Sequence, residues 1–274
     1  QSDSLDILHY FINVNDSSQN WNSTSTSDVT VVDNDAPTIS DSLGDTTATT
    51  GDDKEITATI SDNIDLTSAT LYYKNSTAES WSSKSILSGS ATITMPSESV
   101  NPWYYYITAD DDAGNGPSGE PSDDGSTNYT ITVNDNDGPT FSNLQSNPSS
   151  ATEGDYVNVT VTVSDNIEEN VVKLNLTGET NFTGANVTMI SLGGGNYYYN
   201  TTYSDVDKYH YFVWANDTSG NVGVSEELRF TILEEPDIIP PEITDNSPDE
   251  AVDGETFTFN ATVTDDVIYL QVYV

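Results

Sequence analysis

Three prolines, Pro37, Pro139 and Pro241, lie 102 residues apart in the chain. Each opens a related segment: DNDAPTIS at 33–40, DNDGPTFS at 135–142 and the more divergent DIIPPEIT at 237–244. A constant period of this length is typical of one small domain per repeat, with the domains joined in tandem.

The period divides the 274 residues into four units. Residues 36–137 (module 1) and 138–238 (module 2) are predicted to be complete domains, each large enough for one buried core. Residues 1–35 are expected to supply the C-terminal strands of a preceding domain, and residues 239–274 the N-terminal strands of a following one. We therefore expect a mature or partial segment of a longer protein.

The charge of the chain restricts its partners. Six Lys and Arg stand against 45 Asp and Glu, which gives a net charge of −39. Binding to nucleic acid or to an anionic membrane surface requires basic side chains, so neither partner is expected. No apolar run is long enough to span a membrane, and without cysteine no disulfide joins the modules. The acidic surface suits high salt or bound divalent cations, and the two are compatible.

Apolar residues alternate with polar ones throughout both modules, whereas helical periodicity is not sustained. The same alternating strand occurs in three repeats: Ile56, Ala58, Ile60; Val157, Val159, Val161, Val163; Phe257, Phe259, Ala261, Val263. Such strands bury one face and expose the other. Many short strands separated by turns predict an all-β fold of tandem Greek-key, immunoglobulin-like (Ig-like) β-sandwiches.

An aromatic strand recurs late in each repeat, as WYYYITA at 103–109 and YHYFVWA at 209–215, and HYFINV at 9–14 is its counterpart in the first unit. Most of these rings are expected in the core or on the sheet surface. Tyr104 and Tyr106 alternate with the inward set. We therefore expect both on an outer face, where a glycan or protein could stack on them.

Two motifs resemble the cadherin and Ig-like superfamily of extracellular modules. Residues 107–114, ITADDDAG, are similar to the cadherin V-x-A-x-D-x-G pattern with one residue added, and residues 133–139, VNDNDGP, are similar to its D-x-N-D-N-x-P linker. The cadherin D-R-E motif is missing. The Asp-x-x-Gly-Asn ending, at 111–115 and 217–221, looks closer to Ig-like repeats of prokaryotic surface proteins.

In an Ig-type sandwich, the entering linker, the loop between strands B and C and the loop between strands F and G share one pole. Acidic residues occur in all three places, so they are predicted to converge at the junctions. The candidate metal ligands are Asp33, Asp35, Asp62, Asp65, Asp110, Asp111 and Asp112 at the first junction, and Asp135, Asp137, Asp165, Glu168 and Asp217 at the second. Asp16 holds the equivalent FG position in the first unit.

Calcium is the predicted ion, because it takes six to eight oxygen ligands and these loops supply carboxylates, amides and carbonyls. Neither His nor Cys is present in them for zinc or copper. An alternative stays open, in which the Asp and Asn residues only form turns. At the third junction Ile238 and Ile239 replace the Asn and the second Asp of the linker, which leaves Asp237, Asp265 and Asp266. Weaker binding or apolar contact is expected there.

The sequon Asn-X-Ser/Thr occurs 11 times, which indicates a glycosylated, exported protein. The predicted acceptors are Asn15, Asn22, Asn75, Asn128, Asn158, Asn175, Asn181, Asn186, Asn200, Asn216 and Asn260. A chain that is merely rich in Asn and Thr is the alternative.

Catalysis is not expected. His9 and His210 occupy the same strand of their repeats and have no recognisable nucleophile nearby. The Gly193–Gly195 run lacks a following Lys and is predicted to form a hairpin turn, not a phosphate loop.

The composition resembles prokaryotic cell-surface glycoproteins, archaeal ones especially. The resemblance implies a structural extracellular protein of a surface layer (S-layer), stalk or filament, with calcium-stiffened junctions and contacts to itself, to neighbouring surface proteins or to glycans. A carbohydrate-binding or adhesive spacer array of an exported enzyme is a second hypothesis. A head-to-tail filament whose subunits complete their end domains by strand exchange is a third.

Overall fold

A computed structural model describes residues 5–40 and 43–265 of the chain. All regular elements in these residues are β-strands, which confirms the predicted all-β class. Over the same residues, no helix has the length and apolar character needed to cross a membrane.

The N-terminal segment (residues 5–35) forms two short antiparallel pairs. Its strands are β1 (Leu8–Tyr10), β2 (Asn13–Asn15), β3 (Trp21–Ser23) and β4 (Ser27–Val29). β1 pairs with β4 and β2 pairs with β3. The aromatic run at 9–14, predicted to be a single strand, is divided between β1 and β2. That this segment supplies the last strands of a preceding domain stays a prediction. Its apolar side chains, such as Phe11 and Trp21, are exposed.

Module 1 is a sandwich of one large sheet and two short strand pairs around a shared core. Its strands are β5 (Thr38–Ser40), β6 (Thr46–Thr49), β7 (Asp53–Thr57), β8 (Thr59–Ser61), β9 (Leu66–Asn75), β10 (Ser82–Ser85), β11 (Ser90–Thr94), β12 (Trp103–Asp111), β13 (Ser118–Glu120) and β14 (Tyr129–Asn134). One sheet has the order β10-β9-β12-β14-β6, with β6 parallel to β14. The other side pairs β5 with β8 and β7 with β11. This is the Ig-like Greek-key order.

Module 2 repeats the design. Its strands are β15 (Thr140–Asn147), β16 (Ser150–Thr152), β17 (Tyr156–Ser164), β18 (Glu169–Gly178), β19 (Ala185–Thr188), β20 (Ile190–Gly193), β21 (Asn196–Thr202), β22 (Asp207–Asp217), β23 (Val222–Val224) and β24 (Leu228–Leu233). One sheet is β15-β17-β21-β20 and the other is β16-β24-β22-β18-β19. The Gly193–Gly195 run joins β20 to β21 as the predicted hairpin turn, and all three glycines have positive φ.

The alternating pattern fills each core with one face of every strand. Val157, Val159 and Leu174 are completely buried in module 2, as are Ile56 and Leu71 in module 1. Polar atoms that enter the cores differ in whether they have a partner. The hydroxyl of Tyr105 donates a hydrogen bond of 2.7 Å to the carbonyl of Gly44, whereas the buried hydroxyl of Tyr203 has no hydrogen-bond partner.

The C-terminal segment (residues 239–265) contains the antiparallel pair β25 (Glu242–Asp245) and β26 (Ala261–Thr264). The alternating run predicts a strand from Phe257, but the strand begins at Ala261. The backbone of Asn260 is hydrogen-bonded instead to the N–H of Asn246 and to the hydroxyl of Ser247. Asp266 and the strand end expected near Val272 lie outside the described residues. Strand pairs of the described chain join strands of one unit only; the unit boundaries themselves stay a prediction.

Candidate metal centres

The turn after strand B, which is β8 in module 1 and β17 in module 2, fixes the orientation of one aspartate carboxylate in each module. Asp165 Oδ1 accepts hydrogen bonds from the backbone N–H of Ile167 (2.9 Å) and Glu168 (3.2 Å). Asp62 Oδ2 accepts one from the N–H of Ile64 (2.8 Å). The second oxygen of each aspartate, Asp62 Oδ1 and Asp165 Oδ2, is buried without a hydrogen-bond partner. A buried anionic oxygen without a partner is costly unless a cation meets it.

The loop after strand F, which is β12 in module 1 and β22 in module 2, makes the same hydrogen bonds as the loop after β2. Asp217 accepts hydrogen bonds from the backbone N–H and the side-chain amide of Asn221, both at 2.8 Å. Asp111 makes the same pair with Asn115, at 2.8 and 2.9 Å. The Asp-x-x-Gly-Asn ending thus fixes the carboxylate orientation. Asp16 is held in this way by Asn20.

The entering linker contributes a third carboxylate. Asp135 Oδ1 accepts a hydrogen bond of 3.2 Å from the N–H of Asp137, and Asp33 Oδ1 makes the equivalent contact with Asp35. These local turns hold the linker aspartate over the pole of the module that follows it.

The three elements bring two equivalent triads together. Asp33, Asp62 and Asp111 each place an oxygen within 4.8 Å of the others, and so do Asp135, Asp165 and Asp217. Asp111 and Asp217 are 4% and 1% exposed, so each triad has an acidic residue inside the fold. Oxygen donors without His or Cys match what a hard cation such as Ca²⁺ takes.

The triads are not neutralised by basic side chains. Within the described residues no Lys or Arg forms an ion pair with either triad. Burial, together with the charges of Asp217 and Asp135, raises the pKa of Asp165. Burial also acts to raise the pKa of Asp135. Hydrogen bonds outweigh this effect and lower the pKa, and the largest of their contributions comes from Asn166. Burial of Asp111 is likewise outweighed by hydrogen bonds from Asn115, and its pKa is lowered.

Six predicted ligands lie outside the triads. Asp35 and Asp137 approach the amides of Asn63 (3.5 Å) and Asn166 (3.3 Å) at the cluster rims. Asp110 accepts a hydrogen bond from Ser68, because strand alternation turns it to the outer face. The remaining three predicted ligands are exposed loop residues: Asp65, Asp112 and Glu168.

The second junction also contains contacts between the modules. Asn166 donates from its side-chain amide to the carbonyl of Ser97 (2.8 Å) and to Asp135 Oδ1 (3.1 Å). Thr50 of module 1, only 4% exposed, lies 3.3 Å from Asp135 Oδ1. Sequence reasoning noted Asn221 only as the end of the Asp-x-x-Gly-Asn motif, and it missed Asn166 and Thr50. The signal for Asn166 was a Ser-Asp-Asn turn that occurs at both 61–63 and 164–166.

Over the part of the chain that the structure describes, the third junction does not show the apolar contact that was one of the two expectations for it, and the weaker binding stays a prediction. Asp237 accepts a hydrogen bond from the N–H of Ile239, while Ile238 and Ile239 are 86% and 59% exposed. No acidic triad forms there among the described residues.

The outer-face aromatic residues of module 1 pack against one another. Tyr106 is on the outer face as predicted, but it is only 7% exposed. It stacks on Tyr72 (centroids 4.8 Å apart) and meets the edge of Trp81 (4.8 Å). The prediction that Tyr106 is open to a ligand is therefore wrong, because neighbouring rings cover it.

Sequence reasoning also missed a buried carboxylate in module 2. Asp207 is 7% exposed and accepts backbone hydrogen bonds from residues 179–182 and from Lys208. These bonds, first that from Phe182, hold the pKa of Asp207 far below its usual range. The carboxylate fixes the loop after β18 and does not belong to either triad.

No family model and no curated protein matches the chain. Solved structures similar to it are the FN1–FN3 domains of chicken CNTN1 (13% identity, 82% of this chain and 76% of that one, TM-score 0.31), the fibronectin(III)-like modules of Clostridium thermocellum CbhA (17%, 73% and 94%, 0.26) and the titin domains Z1Z2 in complex with telethonin (14%, 75% and 100%, 0.33). TM-scores this low support no conclusion about function. The strand order of the modules makes the chain an array of tandem Ig-like β-sandwiches.

Proposed function

We propose that this chain is a structural, non-catalytic part of an extracellular surface layer, stalk or filament. Calcium at the two acidic triads stiffens the junctions, and N-linked glycans cover the outer faces of the sandwiches. The observation that carries the proposal is the repeated pair of buried carboxylate oxygens without partners, Asp62 Oδ1 and Asp165 Oδ2, each beside two more carboxylates.

The residues that would hold the ions are Asp33, Asp62 and Asp111 at the first junction and Asp135, Asp165 and Asp217 at the second. When bound, calcium supplies the positive charge that the triads lack. The protein's own part is to connect the linker with two loops of the following module. Since Asn166 also contacts Ser97 of module 1, fixing the linker restricts the angle between modules 1 and 2.

An ion that binds only the folded, aligned state also stabilises it by mass action, by ~2.7 kcal/mol at a hundred times the dissociation constant. The net charge of −39 favours cation binding and keeps the arrays apart in solution. An extracellular location is supported by the 11 sequons, since their asparagines occur mainly on half-buried or exposed positions of the sandwiches.

Equilibrium dialysis against ⁴⁵Ca²⁺ in 0.5 M KCl tests the assignment. Two ions per chain are expected for the wild type and one for Asp165→Asn, whereas Asp205→Asn, at an exposed acid outside the triads, should still bind two. If the two variants bind the same amount of Ca²⁺, binding follows the total charge, and this result would contradict specific sites at the triads.

A further inference from the structure

The outer face of module 2 contains an apolar hollow of about 260 Å³. Phe212 and Trp214 on β22 form part of its lining, with Lys173, Asn175 and Asn186 beside them. The register explains this grouping. Asn175 pairs across the strands with Phe212 on one side and with Asn186 on the other.

Two glycosylation sequons border the hollow, Asn175-Leu-Thr and Asn186-Val-Thr. Their hydroxyl residues, Thr177 and Thr188, are exposed. A sugar attached to Asn175 would start directly beside the ring of Phe212, because directly opposed side chains on neighbouring strands lie about 5 Å apart. A sugar on Asn186 would start one strand further away, on the edge strand β19.

Module 1 shows how the equivalent surface is covered when no sequon is present. The pair Tyr72–Tyr106 occupies the register position of the pair Asn175–Phe212. Tyr72 stacks on Tyr106, with 9° between the ring planes, and Trp81 packs edge-on against it. Module 2 has an asparagine in place of the stacking ring, and within the described residues neither Phe212 nor Trp214 has a ring partner.

We propose that an N-linked glycan on Asn175 folds back over Phe212 and Trp214, so that its innermost sugars fill the hollow. The inference rests on the glycosylation in the proposed function. The C–H faces of the sugar rings cover aromatic surface that water otherwise meets. The ammonium group of Lys173 and the amide of Asn186 offer hydrogen bonds to sugar hydroxyls at the rim. The glycan thus takes the place that Tyr72 and Trp81 take in module 1.

Glycopeptide mass spectrometry of protein isolated from its source, followed by melting of variants produced in that source, tests the proposal. Asn175 is expected to be occupied. Thr177→Ala, which removes its sequon, should lower the melting temperature of module 2 by roughly 3–5 °C. Thr177→Ser keeps the sequon and should restore it, and Thr188→Ala, which removes only the neighbouring sequon, should have little effect.

A double-mutant cycle separates stacking from the mere presence of sugar. In a Trp214→Thr background, which reproduces Thr108 of module 1, Thr177→Ala should lose most of its effect. Nuclear Overhauser contacts between sugar protons and the indole should be present in the wild type.

An occupied Asn175 whose sugars show no such contacts, with equal effects in both backgrounds, would overturn the inference. An unmodified Asn175 among occupied sequons would also overturn it. Neither result bears on the proposed calcium sites. Absence of glycan from all sequons would overturn both the inference and the glycosylation in the proposed function. Binding of free oligosaccharide to an unmodified hollow would replace the inference by a carbohydrate-binding role.

Discussion

The side-chain amide of Asn166 donates a hydrogen bond of 2.8 Å to the backbone carbonyl of Ser97, and so joins module 2 to module 1. The same amide lies 3.1 Å from Oδ1 of Asp135, a member of the second acidic triad. The amide of Asn166 therefore contacts both the neighbouring module and a carboxylate of the triad.

Removing this side chain should loosen the junction without unfolding either module. Asn166→Ala is expected to broaden the distribution of distances between spin labels on modules 1 and 2, since the contact with Ser97 is lost. Each module should lose no more than about 1 kcal/mol of stability. Double electron–electron resonance gives the distances. Asn63→Ala changes the equivalent residue of the first junction and should leave this distribution unchanged; an unchanged distribution in Asn166→Ala would contradict the role of the contact.

Asp207 is predicted to be the most sensitive carboxylate of module 2 outside the triad. Asp207→Asn places an amide among the backbone N–H donors of residues 179–182, and should lower the melting temperature of module 2 by roughly 5–10 °C. Differential scanning calorimetry measures it, with Asp205→Asn as the exposed control. Because the folded-state pKa is lowered, the contribution is present above the ordinary value of 3.8 and is lost as the pH falls toward the folded value. A variant with the acid sensitivity of the wild type would refute this.

His210 should give module 2 a pH dependence in the neutral range. Its imidazole lies between Glu179 (3.0 Å) and Glu227 (2.9 Å), and these hydrogen bonds, first that with Glu179, raise its pKa from 6.5. The contribution is therefore complete below 6.5 and is lost as the pH rises through the raised value. Relative to His210→Gln, the melting temperature of the wild type should fall by roughly 1–3 °C as the pH rises from 6 through the raised pKa. Parallel pH profiles of the two proteins would show that the imidazole is not coupled to folding.

Leu174 tests whether the modules fold separately. Leu174 is completely buried in module 2, and Leu174→Ala should cost about 2–4 kcal/mol through lost burial and a residual cavity. Calorimetry should show one transition moved to lower temperature and the other unchanged. Leu71→Ala, at the register-equivalent position of module 1, should move the other transition. If either variant shifts both transitions equally, the predicted boundary near residue 137 is not a boundary of cooperative folding.

The fold was predictable because period-two alternation and a 102-residue repeat fix which faces are buried and how often the domain recurs. The loops that form each triad were predictable from the sequence, but the individual ligands in those loops were not. Asp110 and Asp111 are neighbours in sequence, yet strand alternation places only Asp111 inward. The cover over Tyr106 was not predictable, because Trp81 reaches it from a loop whose path no local pattern defines.

Thermal unfolding of the wild type and Asp165→Asn in 0.5 M KCl, with millimolar Ca²⁺ or with EDTA, tests the central claim most directly. Asp165 ionises against burial and two neighbouring carboxylates, so in EDTA the neutral variant should melt at or above the wild-type temperature. In Ca²⁺ the order should reverse, because the variant loses the ligand that the ion needs, and equal Mg²⁺ should not reproduce the reversal. Asp205→Asn should follow the wild type in both conditions. Melting temperatures of wild type and Asp165→Asn that rise equally with Ca²⁺, or do not respond beyond the effect of salt, would contradict calcium-stiffened junctions and leave the aspartates as turn formers on a charged surface.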